Sequence, residues 1–271
     1  MLKTEKNTIL VMGAGAVGGA FGVQLAKSQN NTVFFVARGP HLEAIKRKGL
    51  SIQSREGKFN LKVCVSDDPG DFKSEPDLIL LTVKSYDTES AMERLKPVVS
   101  KKTQILSLQN GIENYPKLVN AFGEERVVRG FCGMNAEVIQ PGVIQGGPGK
   151  IFMGENNGEM STRLRWLQSL FETSNIRCIV CEDIHHDVWR KFAWNCIFNI
   201  VSAITQLTVG KIFDDPGKIK LCKHLFKEIS QVAKSQDILL GADKEKLIFD
   251  IARDSGGIKP STLQDRLKGK R

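Results

Sequence analysis

The feature that most constrains this chain is a glycine-rich segment close to its N-terminus. Residues 8–12 (TILVM) form a short apolar run, and the next residues, Gly13, Ala14, Gly15, Ala16, Val17 and Gly18, have the pattern G-x-G-x-x-G. A strand, a tight turn and a helix in this order are the arrangement that binds a dinucleotide pyrophosphate, because the backbone amides at the helix start attract an anion. A second strand pattern follows at residues 32–37, at the spacing of a β-α-β unit. The segment therefore predicts a dinucleotide site, with a merely glycine-rich turn as the alternative.

Each glycine of this segment has a separate expected role. Gly13 permits the turn that ends the strand. Gly15 leaves no Cβ between the backbone and the phosphates, and Gly18 lets the helix pack closely on its strand.

The residue at the end of the second strand pattern bears on the type of dinucleotide. NAD sites place Asp or Glu about 20 residues after the glycines, where the carboxylate binds the ribose 2′-hydroxyl. This chain has Arg38 there. A guanidinium forms bidentate hydrogen bonds with a 2′-phosphate, so Arg38 predicts NADP unless it is an ordinary solvated arginine. Lys84, after the apolar run 77–83, adds a second cation at the carboxyl edge of the predicted sheet.

The composition is that of an ordinary globular protein. The 271 residues are 41% hydrophobic and 25% charged, and we predict two domains. No apolar run reaches the about 18 residues of a membrane span, and no signal-peptide pattern opens the chain, so we expect a cytoplasmic protein. The six cysteines, at positions 64, 132, 178, 181, 196 and 222, are scattered and are expected to stay reduced.

Two other ligand classes are disfavoured. The net charge of +9 is spread along the chain without a basic arm or interleaved aromatic residues, so we expect no nucleic-acid partner. Cys178 and Cys181 form a C-x-x-C pair, but no second pair completes four ligands. We therefore expect no metal site.

The first part of the chain alternates strand and helix patterns. Further strand patterns lie at residues 77–83, 103–108 and 127–131, with a helical pattern at 88–99. We also predict a helix near residues 41–48, a hairpin over 50–65 with its turn at 55–58, and the last strands of this domain within 134–154. This alternation indicates an α/β fold with a doubly wound parallel sheet. We predict a Rossmann-type, NADP-binding domain at residues 1–180.

The second domain, predicted to be all-helical at residues 181–271, carries a polar stripe on an apolar helix. Residues 183–199 have helical periodicity, and Lys191, Asn195 and Asn199, spaced four residues apart, share one face. Either that face meets solvent, or an ammonium and two amides line a polar cleft and bind oxygen atoms of a ligand. Beside a nicotinamide cofactor, the second option suggests carbonyl reduction, because an ammonium stabilises and protonates the oxygen that gains charge.

Several segments together carry a resemblance to a known family. They are residues 13–15 (GAG), Arg38, Lys84, residues 108–111 (LQNG), residues 189–199 (WRKFAWNCIFN) and residues 261–265 (STLQD). In this order they resemble the ketopantoate reductase (2-dehydropantoate 2-reductase) family over almost the whole length. The W-R-K-x-x-x-N-x-x-x-N block is the most specific part. The resemblance implies a Rossmann domain followed by a helical domain, and NADPH-dependent reduction of ketopantoate to pantoate, on the route to pantothenate and coenzyme A.

The resemblance also implies roles for individual residues. The family's general acid matches Lys191. Its substrate-binding groups match Asn110, Asn195, Asn199 and Ser261. Its cofactor-binding residues match the glycine-rich segment Gly13, Ala14, Gly15, Ala16, Val17 and Gly18, together with Arg38, Lys84, Asn110 and Ala136. Without the resemblance, Asn110 and Gly111 would be interpreted as a simple turn.

Two departures from the family pattern leave alternatives open. Val209 precedes Gly210 where some members have an Asn that contacts substrate, and the sequence ends at Arg271 where the family continues into a stretch with a ligand-contacting Glu. We therefore expect a helical domain shortened at its C-terminus. The alternatives are a related NADPH-dependent reductase of another 2-oxo acid, and a non-catalytic NADP-binding or sensor protein. The expected partner is a small 2-oxo acid, with a homodimer as a further option and no membrane contact.

Overall fold

The structure, a computed structural model, describes residues 6–54 and 57–269 and divides the chain into two compact units, Met1–Ile184 and His185–Arg271. The strands of the first unit are β1 (Asn7–Met12), β2 (Asn31–Val36), β3 (Leu50–Ser54), β4 (Gly57–Leu61), β5 (Cys64–Ser66), β6 (Leu78–Leu81), β7 (Gln104–Ser107), β8 (Val127–Gly133), β9 (Glu137–Gln140), β10 (Val143–Gln145), β11 (Lys150–Gly154) and β12 (Arg177–Val180). Its helices are α1 (Ala16–Ala26), α2 (Gly39–Lys48), α3 (Thr88–Leu95), α4 (Asn114–Phe122) and α5 (Thr162–Thr173).

The first unit is organised around an eight-stranded, mainly parallel sheet. Its strand order is β12-β11-β8-β7-β6-β1-β2-β5. Alternate residues of β1 enter two different cores: Ile9 and Val11 pack in one, and Leu10 and Met12 in the other. Both faces of the sheet are thus covered, which explains why its central strands are apolar throughout. The predicted α/β class with a doubly wound sheet is confirmed.

The parallel strands bring four predicted site residues to one edge of the sheet. β1, β2, β6 and β7 all run in the same direction. The residues that follow their carboxyl ends are Gly13, Arg38, Lys84 and Asn110, respectively. This edge is where open α/β sheets bind their ligands.

Residues 134–154 supply strands of this domain, as predicted, but β12 follows later in the chain, and β9 and β10 do not enter the main sheet. These two strands join β3 and β4 in a separate sheet with the order β4-β3-β10-β9, and only β11 enters the main sheet. Ile144 of β10 packs closely on α1, where it occupies the space that a side chain on Gly19 would need. A sequence pattern that shows strands does not show which helix surface they cover.

The predicted hairpin over residues 50–65 is confirmed in part. β3 and β4 pair in antiparallel fashion, with Leu50 opposite Leu61. Residues 55 and 56 of the predicted turn lie outside the described residues. Cys64–Ser66 leaves the hairpin and pairs instead in parallel with β2, at the end of the main sheet.

The second unit is helical over the residues that the structure describes, as predicted. Its helices are α6 (Ile184–Trp194), α7 (Ile200–Thr205), α8 (Val209–Ile212), α9 (Pro216–Lys234), α10 (Ala242–Asp254) and α11 (Ser261–Leu267). Its core contains Phe198, whose ring lies 5.9 Å from that of Phe213 and 5.6 Å from that of Phe249. Among the described residues, no helix combines the length and the apolar character that a membrane crossing requires.

The single α-helix predicted over residues 183–199 is wrong for its last five residues. α6 ends at Trp194, and a π-helical segment, Asn195–Asn199, connects it to α7. A π-helical turn is wider than an α-helical turn because its hydrogen bonds join residues five apart. Such turns occur frequently at functional sites, and this one holds two of the three residues of the predicted polar stripe.

Candidate active site

The glycine-rich loop between β1 and α1 is shaped by close contacts at two of its glycines. Gly13 has a φ of +106°, and a Cβ there would lie 2.9 Å from the amide nitrogen of Val83. A Cβ on Gly18 would overlap the carbonyl oxygen of Gly13 and the hydroxyl of Thr82. Neither position therefore accepts a side chain without movement of the backbone around it.

The start of α1 has the properties of an anion site. Gly15 is the N-cap, no side chain caps the helix, and its first turn contains no acidic residue. A Cβ on Gly15 would meet nothing within 4 Å, so the space beside this backbone is open. The first amides of the helix have no intrahelical acceptor, and the helix dipole adds partial positive charge. The residues present therefore fit a dinucleotide pyrophosphate.

A second feature of the first unit is an ion pair between Arg38 and Asp87, which the sequence patterns did not predict. Nη2 of Arg38 lies 2.6 Å from Oδ2 of Asp87, and the Arg38 side chain is still 61% exposed. Asp87 belongs to a 3₁₀ turn, Ser85–Asp87, that directly follows Lys84. Arg38 thus lies in the open with donors left for a second anion. A carboxylate shortly after the end of a sheet strand was the only available sequence signal for Asp87.

Asn110, after β7, is held through its own backbone. Its carbonyl oxygen accepts hydrogen bonds from Oγ of Ser85, at 3.2 Å, and from Nδ2 of Asn114, at 3.0 Å. Oδ1 of Asn114 in turn accepts from the hydroxyl of Thr88 at 2.9 Å. Asn114 and Thr88 are buried, so these bonds form away from water, where a lost partner is costly.

A further buried amide extends this network. Nε2 of Gln109 donates to the hydroxyl of Thr88 at 2.8 Å and to the carbonyl of Val83 at 2.9 Å. Oγ of Ser107 donates to Oε1 of Gln109 at 3.0 Å. The sequence patterns did not predict these supporting residues. The sequence feature that could have indicated them is Gln109, a polar residue just after the apolar end of a strand, in the segment LQNG.

Ala136 lies in the connection between β8 and β9. It is half-buried and packs against the core of the first unit. A Cβ on Gly146, at the other end of the β9–β10 hairpin, would touch Ala136, so the hairpin holds this backbone closely. Its predicted contact with the cofactor stays a prediction.

In the second unit, Lys191 lies on α6, and its ammonium is 5.2 Å from the centre of the Trp194 ring. Lys191 and Asn195 are half-buried, whereas Asn199 is only 7% exposed. The stripe therefore becomes more buried along its length. That gradient favours a polar cleft over a solvent-facing stripe.

Asn199 also has an unsatisfied polar atom. Its Oδ1 is buried and accepts no hydrogen bond from the described residues. Nε1 of Trp194 and Oγ of Ser202 are also buried and have no hydrogen-bond partner among the described residues. An unpaired buried amide costs about 1–3 kcal/mol. Each such group needs a hydrogen-bond partner beyond the described residues, and a water molecule or a polar ligand can supply it.

Ser261 and Val209 occupy different environments in the second unit. Ser261 is exposed and opens α11, a helix that packs against α7 and the π-helical segment. The structure thus brings the helix of Ser261 to the segment that carries Asn199. Val209 is fully buried, and its amide donates to the carbonyl of Ile258 at 3.1 Å. Val209 therefore belongs to the core of this unit.

The cysteines offer no second chemical centre among the described residues. None of the six forms a disulfide bond, and no group of three or more described His, Cys, Asp or Glu residues is placed to hold a metal ion. Burial raises the pKa of the Cys178 thiol to about 12, so this thiol stays protonated at neutral pH.

Comparisons with known proteins agree on one family. Residues 9–158 match the family described as "Ketopantoate reductase PanE/ApbA", and residues 183–271 match its C-terminal part, "Ketopantoate reductase PanE/ApbA C terminal". The chain is 32% identical over 267 residues to a 2-dehydropantoate 2-reductase of Pyrococcus horikoshii, a match that covers 97% of this chain and 85% of that protein.

Two solved structures illustrate the similarity of fold. A 2-dehydropantoate 2-reductase of Geobacter metallireducens GS-15 superposes with a TM-score of 0.89 at 29% identity, covering 97% of this chain and 88% of that chain. A D-mandelate dehydrogenase in a ternary structure with NADH and anilino(oxo)acetate superposes with a TM-score of 0.88 at 22% identity, covering 97% and 86%. At the latter identity the likeness concerns the fold alone.

Proposed function

The chain belongs to the ketopantoate reductase PanE/ApbA family, and on that premise we propose that it reduces 2-dehydropantoate (ketopantoate) to pantoate with NADPH, in pantothenate and coenzyme A biosynthesis. Members of this family are NAD(P)-dependent reductases of 2-oxo acids. The observation that carries the proposal is Asn199, a buried amide with an unsatisfied oxygen, on the segment that also presents Lys191 and Asn195.

The choice of NADPH rests on Arg38. Its guanidinium follows β2, where NAD-specific sites have a carboxylate, and most of it is exposed. A 2′-phosphate would accept charge-assisted hydrogen bonds from the donors that Asp87 leaves available. The open backbone at Gly15 and the first amides of α1 would hold the pyrophosphate.

The catalytic proposal concerns the second unit. A bound reduced nicotinamide supplies a hydride to carbonyl carbons. Lys191 then acts as general acid, because its ammonium stabilises the negative charge on the substrate oxygen and donates a proton to it. Asn195 and Asn199 orient the substrate through hydrogen bonds to its oxygen atoms, and the hydroxyl of Ser261 binds its carboxylate. The exposed position of Ser261 at a helix start suits an anionic group.

A second candidate is reduction of a different 2-oxo acid. It is favoured by Val209, a fully buried aliphatic side chain at the position where the family resemblance implies a substrate-contacting Asn in some members. The two candidates differ in the hydroxyl that ketopantoate carries and simpler 2-oxo acids lack. Only a substrate that carries this hydroxyl can donate a hydrogen bond to the unsatisfied amide oxygen of Asn199.

Comparison of kcat/KM across substrates tests this proposal. We expect kcat/KM for ketopantoate to exceed that for 2-oxoisovalerate, which lacks the hydroxymethyl group and cannot donate this bond, by about tenfold or more, the value of one buried hydrogen bond. Pyruvate and phenylglyoxylate serve as small and bulky comparisons. A higher kcat/KM for any of these three would favour the second candidate and contradict the first.

A further inference from the structure

One side chain connects the glycine-rich loop to a distant part of the first unit. His41 lies in the first turn of α2, and its Nε2 is 2.8 Å from the carbonyl oxygen of Ala14. Its other ring nitrogen, Nδ1, accepts a hydrogen bond from the amide of Gly142 at 3.0 Å. Both ring nitrogens therefore bond to backbone groups, one in the loop between β1 and α1, the other in the turn of the β9–β10 hairpin.

These two bonds define a single form of the imidazole. The amide of Gly142 is a donor, so Nδ1 must present a lone pair. The carbonyl of Ala14 is an acceptor, so Nε2 must carry the proton. Only the neutral ring protonated on Nε2 satisfies both partners, and neither bond can be kept by an apolar side chain of the same shape.

The hairpin side of this connection is itself fixed. The carbonyl of Gly142 accepts a hydrogen bond from the amide of Ser51 at 2.9 Å, and Gly142 has a φ of +77°. Ile144 of the same hairpin packs against α1 at Gly19. The hairpin is thus a firm support from which the ring of His41 reaches the loop.

The loop side matters because the peptide unit between Ala14 and Gly15 is planar. In a trans peptide the carbonyl of one residue and the amide of the next point in opposite directions. The carbonyl of Ala14 points to His41, so the amide of Gly15 points away from it. The amide of Ala14 donates to the carbonyl of Val36 at 2.9 Å, which fixes the preceding peptide unit as well.

We infer that His41 is a positioning residue for the cofactor pyrophosphate: by holding the Ala14 carbonyl, it keeps the Gly15 amide directed at the anion. The inference requires only the nicotinamide cofactor that the family uses. It is independent of the choice between NADPH and NADH and of the 2-oxo acid, because both cofactors share the pyrophosphate.

The test compares dissociation constants of NADPH and NADH for three proteins. His41→Phe keeps a planar ring without hydrogen bonds, and we expect it to weaken both cofactors by a similar factor of about five to ten, the value of one hydrogen bond. His41→Gln retains a donor and an acceptor and should bind both within about threefold of the unsubstituted protein. His224→Phe, on the exposed side of α9, is the matched control and should change neither constant.

Two results would overturn the inference. One is a His41→Phe protein that melts at a lower temperature but binds both cofactors with unchanged affinity, which would make His41 a purely structural support. The other is a loss confined to NADPH, which would indicate a contact with the 2′-phosphate. If His41→Phe does not fold, His41→Asn, whose shorter side chain reaches only one partner, must weaken both cofactors about equally, and unchanged binding of both would overturn the inference in the same way.

Discussion

The glycine-rich loop of the first unit and the segment from Lys191 to Asn199 of the second unit are built from different parts of the chain. The loop is formed by backbone: Gly13 and Gly18 permit close approach, and the peptide groups of the loop bond to Val36 and His41. The second segment is formed by side chains on a wide helical turn, and one of them, Asn199, has an unsatisfied oxygen.

This difference predicts two kinds of sensitivity. Backbone cannot be replaced by substitution, so changes at the loop act through added volume and affect stability or cofactor binding. Lys191 and Asn195 of the second segment are only half-buried, so changes at these two residues should act mainly on the reaction and little on the fold. A substitution at one region should therefore leave the measured property of the other region intact.

The largest effect is expected at Lys191. If its ammonium protonates the substrate oxygen, Lys191→Ala should lower kcat by about 10² to 10⁴ and leave NADPH affinity nearly unchanged. Lys191→Arg keeps the charge but hardly releases a proton, so it should restore only part of the rate. Steady-state kinetics and NADPH titrations on the same preparations measure both properties. A kcat above about one third of normal in Lys191→Ala would remove the general-acid role.

The next effect concerns the cofactor. Arg38→Ala should weaken NADPH by about tenfold or more and leave NADH nearly unchanged, because only NADPH loses charge-assisted hydrogen bonds. Since Arg38 is largely exposed, the factor should shrink as salt is raised. Calorimetric titration of both cofactors at two salt concentrations tests this. If both cofactors bound equally more weakly, Arg38 would contact a part that NADPH and NADH have in common, which would contradict the NADPH assignment.

A third comparison lies within the loop itself. Gly18→Ala should lower the free energy of unfolding by about 1–3 kcal/mol, because the new methyl group overlaps backbone. Gly15→Ala, where a Cβ meets nothing within 4 Å, should stay within about 1 kcal/mol of the unsubstituted protein and weaken NADPH instead. Chemical denaturation and cofactor titration separate these outcomes. A destabilised Gly15→Ala with normal cofactor binding would show that the open space is not the pyrophosphate site.

The smallest effect is expected at Asp87. Its carboxylate pairs with Arg38 and competes with a phosphate for the same guanidinium. Asp87→Asn keeps the shape and removes the charge, so NADPH should bind about two to five times more tightly. The control is Glu93→Gln on α3, which breaks the pair of Glu93 with Lys96 and changes the net charge equally. Weaker NADPH binding in Asp87→Asn would mean that Asp87 orients Arg38 more than it competes.

The sequence predicted the loop better than the second segment, for a physical reason. A glycine-rich turn after a strand has few possible conformations, so Gly13, Gly18 and the place of Arg38 follow from spacing alone. Partners that lie far apart along the chain, such as Asp87 for Arg38 and Gly142 for His41, depend on how whole elements pack, which spacing does not show.

The π-helical turn and the second sheet could not be predicted from the sequence, for the same reason. The α-helical period places Lys191, Asn195 and Asn199 on one face, but the hydrogen-bond pattern at Asn195–Asn199 depends on the packing around Phe198. The roles of all the predicted site residues, Ala136 and Ser261 included, and the domain limits at residues 180 and 181 stay predictions.

The most direct test of NADPH-dependent ketopantoate reduction is to mix the protein with NADPH and ketopantoate and to follow two quantities together. The loss of reduced-nicotinamide absorbance and the amount of pantoate formed, measured by chromatography, should agree, with one pantoate for each NADPH oxidised. With NADH in place of NADPH, the account predicts a much lower rate at the same concentration. No pantoate with either cofactor, or a faster reaction with NADH, would contradict it.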